Sequence, residues 1–244
     1  MRFKNNVCVV IPCYKVKKKI INVLKRINYR YVDKVIVVDD FCPENSGKIA
    51  EKFSNKKVEV IYCESNLGVG GATMYGFKKA IKENFKIIFK IDGDGQHDPV
   101  DIKKFLTKFN NKNINFCKGT RFDNKNNKKK IPGFRLFGNI ILTKISRITC
   151  KNENLTDVVN GFLAIRSNLL KKLNLEKISK DFFFEEDLLF HISFYEKKIC
   201  EIPIKTFYFG KSSLSPFKTI LPFLIKHLKN FSVRIYYDFT KQKI

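Results

Sequence analysis

Asp92 and Asp94 flank Gly93 at the end of an apolar run, "KIIFKIDGDGQHDP" over residues 86–99, with Gln96, His97 and Asp98 close behind. Two carboxylates at i and i+2 can meet a hard divalent cation. Mg2+ or Mn2+ takes one or two carboxylates and completes its shell with waters and phosphate oxygens. Gly93 leaves room for a ligand to approach the backbone, and a cation held there can neutralise a diphosphate as it leaves. A second acid pair, Asp39-Asp40, is a natural acceptor for the ring N–H donors of a nucleotide base. The turn "NLGVGGA" (66–72) brings three glycines to a helix start, where N–H groups and the helix dipole attract phosphate. Its glycines fall at 68, 70 and 71, which is not G-x-G-x-x-G, and no G-x-x-x-x-G-K-[ST] stretch occurs. A dehydrogenase or a P-loop NTPase is therefore disfavoured.

The elements that must position these residues alternate regularly in the first half. "VCVVIP" (7–12), "KVIVVDD" (34–40), "VEVIYCE" (58–64) and "FKIIFKID" (85–92) read as buried strands, and helical spacing follows each of the first three. This rhythm predicts parallel βαβ units with right-handed crossovers. In such sheets the ligand sits outside the carboxyl ends of the strands. Pro12-Cys13-Tyr14, Asp39-Asp40, Asn66-Leu67-Gly68 and Asp92/Asp94 follow the four strands, so chemistry-bearing residues gather on one rim.

The second half is less regular. It offers a strand ending at Arg121, a polar loop at 123–130, and a helix over 134–148 with apolar residues at 134, 137, 141, 145 and 148. A strand at 160–166, a helix at 182–198 with acids in its first turn, and a strand at 199–204 come next. The tail at 216–239 places apolar residues at 217, 220, 221, 224, 225, 228, 231 and 235, with Lys218, Lys226, Lys229 and Arg234 between them. Without an internal repeat or a clear linker, the expected organisation is one domain over 1–214 and an amphipathic basic tail over 215–244.

The 244 residues carry 48 Lys and Arg against 23 acids, a formal charge of +25. Part of that excess goes with the heavy use of Lys, Asn, Ile and Phe that an A/T-rich coding sequence produces. Basic helices with apolar stripes also suit an anionic membrane surface, each nearby Lys adding roughly 1 kcal/mol. Seven scattered Cys, without a C-x-x-C pair, fit a reducing compartment rather than a disulfide framework or a zinc site. No apolar run approaches the length of a membrane span, which makes a soluble or peripheral protein the expectation.

"VVIPCY", "VIVVDD", "NLGVGGATMYGFKKA", "DGDGQHDP", "GTRF", "NGFLAIR" and "CEIPI" occur in the order and spacing of family 2 glycosyltransferases. The chain most resembles the polyprenyl-phosphate sugar synthases among them, the dolichol-phosphate mannosyltransferase group, over roughly residues 5–225. The resemblance implies an α/β fold of the nucleotide-diphospho-sugar transferase (GT-A) type, with a mostly parallel central sheet and helices on both faces. It implies an inverting, Mg2+- or Mn2+-dependent transfer from a GDP- or UDP-linked sugar to a polyprenyl phosphate at the cytoplasmic face of the membrane. Nucleic acid is not an expected partner.

Residue by residue, the resemblance places Pro12, Tyr14, Asp39, Asp40, Asn66, Gly68, Asp92 and Gly93 around the nucleotide sugar. Asp92, Asp94 and Gln96 fall at the metal, and Arg121 faces the donor and acceptor phosphates. The helix after Pro132 matches one at the membrane interface, while Glu185 and Asp187 fall near the acceptor. A phosphate acceptor is already ionised near neutral pH and needs no base. An acceptor hydroxyl on a surface glycan or lipid-linked saccharide would need one, and Asp187 is then the candidate. The chain departs from the family where Tyr14-Lys15-Val16 replaces Y-N-E and Asp40-Phe41-Cys42 opens what is usually D-G-S. Phe207 replaces an expected Arg, whose role passes to Lys211 or Ser213. A sugar-nucleotide pyrophosphorylase would carry a Gly-rich loop after its first strand, and "PCYKVKKK" lacks the glycines. A polyanion-binding protein, suggested by charge alone, would have no need of Asp94.

Overall fold

A computed structural model describes residues 6–122, 133–197, 199–207 and 216–240. Seven strands form one sheet: β1 (Val7–Cys13), β2 (Lys34–Asp39), β3 (Val58–Tyr62), β4 (Ile87–Lys90), β5 (Phe116–Thr120), β6 (Leu163–Arg166) and β7 (Cys200–Pro203). Their order is β3-β2-β1-β4-β6-β5-β7. The β1–β2, β2–β3, β1–β4 and β5–β7 pairings are parallel, whereas β6 runs antiparallel to β4 and β5. The expected mostly parallel sheet is therefore present, with one reversed strand.

Strands buried on both faces explain the unbroken apolar runs. Cys8 and Val10 of β1, with Ile36 and Val38 of β2, face α3 (Gly68–Lys82) and α7 (Phe184–Ile192) through Ala72, Phe77, Phe184 and Leu188. Val9, Ile11, Val35 and Val37 point the other way, against Ile20, Val23 and Leu24 of α1 (Ile20–Arg26) and Phe105 of α4 (Ile102–Phe109). A one-residue slip in β1 would exchange the two sets, so the register is firmly specified. Between β2 and β3 lies α2 (Ser46–Glu51), and Ser167–Leu170 forms the short α6 after β6.

Because β6 is reversed, its start lies at the rim where β1, β2, β4 and β5 end. Asn160-Gly161-Phe162 thus arrives beside Lys90-Ile91-Asp92, with Lys90 paired to Leu163. The helix expected at 182–198 spans only 184–192, since Ser193–Tyr195 form turns.

Two helices cover the remaining side: α5 (Gly133–Cys150) and α8 (Pro216–Thr240). Among the residues whose side chains are described, most of the apolar positions read from the sequence as stripes are exposed. On α5, Phe137 and Ile148 are 64% and 62% exposed; on α8, Ile225 and Leu228 are 58% and 67% exposed, and Phe231 and Ile235 are exposed too. The buried face of α8 instead carries Phe223, His227, Asn230 and Arg234. His227 Nε2 lies 2.7 Å from Glu186 Oε2, and Arg234 donates to the Thr149 carbonyl of α5 at 2.7 Å. No described helix is long and apolar enough to cross a membrane. The 123–130 loop, Pro132 and the 214/215 boundary lie outside the described residues.

Candidate active site

The ends of β1 and β2 form one side of the rim. Pro12 is buried in the β1–β2 ladder opposite Val38. Asp39 is buried, and its oxygens accept from Cys42 N at 2.7 Å and Gly47 N at 2.6 Å. Its carboxylate closes the loop into α2, which is a folding role and leaves Asp40 as the acid facing the neighbouring turn. Asp40 Oδ1 accepts from Leu67 N at 2.6 Å, and its carbonyl accepts from Asn66 Nδ2 at 3.2 Å. Burial raises the proton affinity of Asp40, and the Leu67 and Gly68 N–H groups partly offset it. Tyr14 and Phe41 stand exposed beside it. Lys15 and Phe41 both hold φ of 53°, a left-handed conformation uncommon for such side chains. Hydrogen bonds Lys15 N to Cys42 Sγ (3.1 Å) and Val16 N to Ser46 Oγ (3.0 Å) stitch these two loops together.

The glycine turn packs closely against a distant segment of the chain. Gly70 N and Gly71 N, at the start of α3, both donate to the Lys180 carbonyl, at 2.8 and 3.1 Å. Gly68, at φ +76°, lets the chain pass so closely that a Cβ would lie 2.6 Å from that same oxygen. A Cβ at Gly70 would run into Ser179 O and Phe184 Cβ. These glycines therefore seat the 179–181 segment on α3.

The Asp-x-Asp acids lie at the centre of the rim. Lys90, fully buried at the end of β4, places Nζ 2.6 Å from Asp92 Oδ1 and 2.5 Å from Glu185 Oε1. Burial works against its charge, but the two carboxylates outweigh it and raise its proton affinity. For Asp92 the order is the same: burial favours the neutral acid, and Lys90, with His97 and Arg121, reverses it and lowers the pKa. His97 Nδ1 lies 3.6 Å from Asp92 Oδ2, and burial pulls this imidazole down to about 4, leaving it neutral near pH 7. Gly161 backs the group, since a Cβ there would strike Asp92 Oδ2 and come 2.6 Å from Lys90 Nζ. Asp94 Oδ1 accepts from Gln96 N at 2.9 Å, while burial and the Asp92 charge raise its pKa. Gly93 passes close to the Pro12 carbonyl, 3.2 Å from where its Cβ would be. Pro12, Gly93, Asp92, Asp94, Gln96 and Glu185 thus share one neighbourhood.

Arg121, just past β5, makes a two-point pair with Asp157: Nε to Oδ2 at 2.7 Å and Nη2 to Oδ1 at 2.6 Å. Asp157 is wholly buried, and although burial opposes its charge, Arg121 and Lys118 hold its carboxyl below the usual range. Lys118, also buried, donates to the Asp157 carbonyl. Sequence reasoning missed Asp157, Lys90 and Lys118. The signal available for the two lysines was a cation interrupting an apolar strand.

Asp187 is not brought to this group in the manner of Glu185. Its oxygens accept from Ser179 N at 2.7 Å and Asn230 Nδ2 at 3.0 Å, which ties α7 to α8. The acid that reaches the Asp92 cluster is Glu185. Lys211 and Ser213 lie outside the described residues.

An acid pair at the carboxyl rim of a mostly parallel sheet, flanked by a buried Arg–Asp pair, is an arrangement for handling phosphate esters. The model of glycosyl transferase family 2 matches residues 8–173. The chain belongs to that family. Among curated relatives, it is 31% identical over 213 residues to a UDP-N-acetylglucosamine–dolichyl-phosphate N-acetylglucosaminyltransferase of Methanococcus voltae, covering 82% of this chain and 84% of that one. It is 27% identical over 181 residues to an undecaprenyl-phosphate mannosyltransferase of Micrococcus luteus, covering 70% of each. Glucosyl-3-phosphoglycerate synthase of Mycobacterium tuberculosis, solved with Mn2+, UDP and glucosyl-3-phosphoglycerate, shares the fold of this glycosyltransferase. Its TM-score is 0.67 at 15% identity, over 95% of this chain and 80% of that one.

Proposed function

We propose that this glycosyltransferase moves a sugar, with inversion, from a GDP- or UDP-linked donor to a polyprenyl phosphate at the cytoplasmic face of a membrane. The observation that carries the reading is the state of the acids near Asp92. Glu185 is bound to the Lys90 ammonium, and Asp187 accepts from Ser179 N and Asn230 Nδ2. A hydroxyl acceptor must hand its proton to a base, whereas a phosphate monoester, with a second pKa near 6, arrives as an anion. The relatives named for dolichyl and undecaprenyl phosphate support the same acceptor class.

The chain's residues divide the work. Asp40, beside Asn66 and the exposed Tyr14, is placed to receive the nucleoside. Arg121, aimed by Asp157, holds phosphate oxygens through charge-assisted hydrogen bonds. Among the described residues no three His, Cys, Asp or Glu side chains converge as a ready-made cage. The oxygen donors of Asp94 and Gln96 fit a hard cation that keeps waters and phosphate oxygens around it, and those two residues would hold it. Mg2+ or Mn2+, when bound, supplies charge to the departing diphosphate. The acceptor phosphate oxygen attacks the anomeric carbon in line, and the electron pair of the broken bond leaves with the nucleoside diphosphate.

The outward apolar stripes of α5 and α8 support peripheral docking, which would bring a lipid-borne acceptor to the rim. Seven free cysteines, six of them buried, suit a reducing compartment.

The test incubates purified enzyme with polyprenyl phosphate in detergent, Mn2+ and radiolabelled UDP- and GDP-sugars in turn. Label entering an organic-extractable, mild-acid-labile product, lost with Asp94→Asn, is the expected result. Absence of lipid label with every donor overturns the reading.

A further inference from the structure

Lys90 touches no reactant in the transfer proposed above. It ends β4, a strand of otherwise apolar residues, and its side chain is 1% exposed. Taking an ammonium out of water costs several kcal/mol unless close partners compensate. Here two carboxylates do so, Asp92 at 2.6 Å and Glu185 at 2.5 Å, from elements 95 residues apart for the second pair. The backbone at Gly161 closes over the cluster, because any side chain there would displace Asp92 or Lys90.

The consequence concerns Glu185. Asp92 and Glu185 share one ammonium, so their bonded oxygens lie within about 5 Å of each other on either side of it. Without the lysine, the Glu185 carboxylate would be open to a hydroxyl, and a positioned carboxylate is what a general base is. With it, the Glu185 oxygen is already occupied by the buried ammonium.

We propose that Lys90 selects the acceptor: by holding Glu185 in a buried ion pair it removes the carboxylate that could deprotonate a hydroxyl, so only an acceptor that arrives ionised reacts. The inference rests on the polyprenyl-phosphate reading and assigns its selectivity to one residue. Lys90 acts through Glu185 and is a positioning residue. In the normal reaction a phosphate oxygen bonds to the anomeric carbon, the bond to the diphosphate breaks with its electron pair, and no proton moves. In the suppressed reaction the attacking oxygen belongs to water or an alcohol, and its proton passes to Glu185 as the same bond breaks.

The experiment compares the parent with Lys90→Met, Lys90→Arg and the double variant Lys90→Met/Glu185→Gln. Each receives a sugar nucleotide with a short prenyl phosphate, the matching prenol, or no acceptor. Nucleoside diphosphate release and sugar transfer are both counted, and their ratio is the readout. For Lys90→Met, release to water or prenol rises about tenfold or more relative to phosphate transfer, a modest share of what a general base supplies. Lys90→Arg keeps the parent ratio, and the double variant returns to it. A ratio unchanged in Lys90→Met, with all activities falling together, assigns Lys90 a merely structural role and overturns the proposal. If Lys90→Met does not fold by circular dichroism, Lys90→Gln is read in the same way, and an unchanged ratio there has the same force. A parent that glycosylates prenol but not prenyl phosphate overturns the function proposed above, whatever the lysine variants do.

Discussion

The guanidinium of Arg121 and the carboxylate of Asp157 meet side by side, 2.7 and 2.6 Å apart at the two contacts, with Asp157 Oδ2 also accepting from Arg121 N at 3.0 Å. An aspartate that receives three hydrogen bonds from one residue fixes both the side chain and the backbone of that residue. In the transfer proposed above, such a fixed cation would need no reorganisation during the reaction.

Asp157→Asn keeps the shape and removes the charge. Breaking a buried pair from one side costs about 3–5 kcal/mol, and losing an aligned electrostatic group costs about 10²–10³ in kcat. Both are the expected outcome, measured by denaturant unfolding and by transfer assay. The pH sense is defined as well. The Asp157 pKa is lowered in the folded chain, so its stabilisation is complete above the ordinary carboxylate pKa and is lost as pH falls through the lower folded one. The parent should lose stability below about pH 4 more steeply than Asp157→Asn does; equal slopes would contradict the pairing.

Gly161 and Gly138 make a matched contrast. A Cβ at Gly161 collides with the Asp92–Lys90 pair, whereas at Gly138 of α5 nothing lies within 4 Å. Gly161→Ala is expected to lower kcat by at least about tenfold by displacing Asp92, since small misplacements at a reacting centre cost up to 10². Gly138→Ala is expected to raise stability by about 0.5–1 kcal/mol, the ordinary gain within a helix. Thermal melts and transfer rates on both variants decide it.

Much of this architecture was legible because a strand buried on two faces leaves an unbroken apolar run, and the first four βα steps do so in "VCVVIP", "KVIVVDD", "VEVIYCE" and "FKIIFKID". The reversal of β6 was not, because "LAIR" reads equally well in either direction. Its reversal is what carries Gly161 to Asp92. The partner of Arg121 was invisible for a related reason: Asp157 lies 36 residues away in an irregular stretch, and no periodicity links the two. The packing role of the glycine turn was not legible, because the Lys180 carbonyl that Gly70 N and Gly71 N meet comes from more than a hundred residues downstream. The stripes of α5 and α8 were visible in full, but periodicity alone does not say whether a stripe faces inward.

Cys117 and Cys200 face each other in the β5–β7 ladder. A hydrogen bond from Cys117, more than any other influence, brings the Cys200 thiol down to about 7, while Cys117 itself is pushed up. The thiolate is the reactive form and prevails above the pKa. Iodoacetamide should therefore label Cys200 ahead of the six buried thiols, with a rate that rises through pH 7. In Cys117→Ala the rise should move toward the ordinary value near 8.5. Peptide mapping of the alkylated protein gives both results, and preferential labelling of another cysteine would refute the first.

The two faces of α8 separate folding from membrane attachment. His227, Asn230 and Arg234 are buried against α5 and α7, while Leu228 and Phe231 are 67% and 43% exposed. Changing the outward pair to Asp should leave the melting temperature nearly unchanged, since exposed positions contribute within about 0.5 kcal/mol. Binding to a bilayer should respond quite differently. Each large apolar side chain withdrawn from water contributes about 1.5–3 kcal/mol, so Leu228→Asp with Phe231→Asp is expected to lower partitioning onto anionic vesicles by at least about a hundredfold. His227→Ala should behave in the opposite sense, lowering the melting temperature while the outward face still binds at temperatures where the variant is folded. Co-sedimentation with anionic and zwitterionic vesicles measures this directly. If the doubly substituted protein pellets with anionic vesicles as fully as the parent, the outward stripe of α8 is not the docking face.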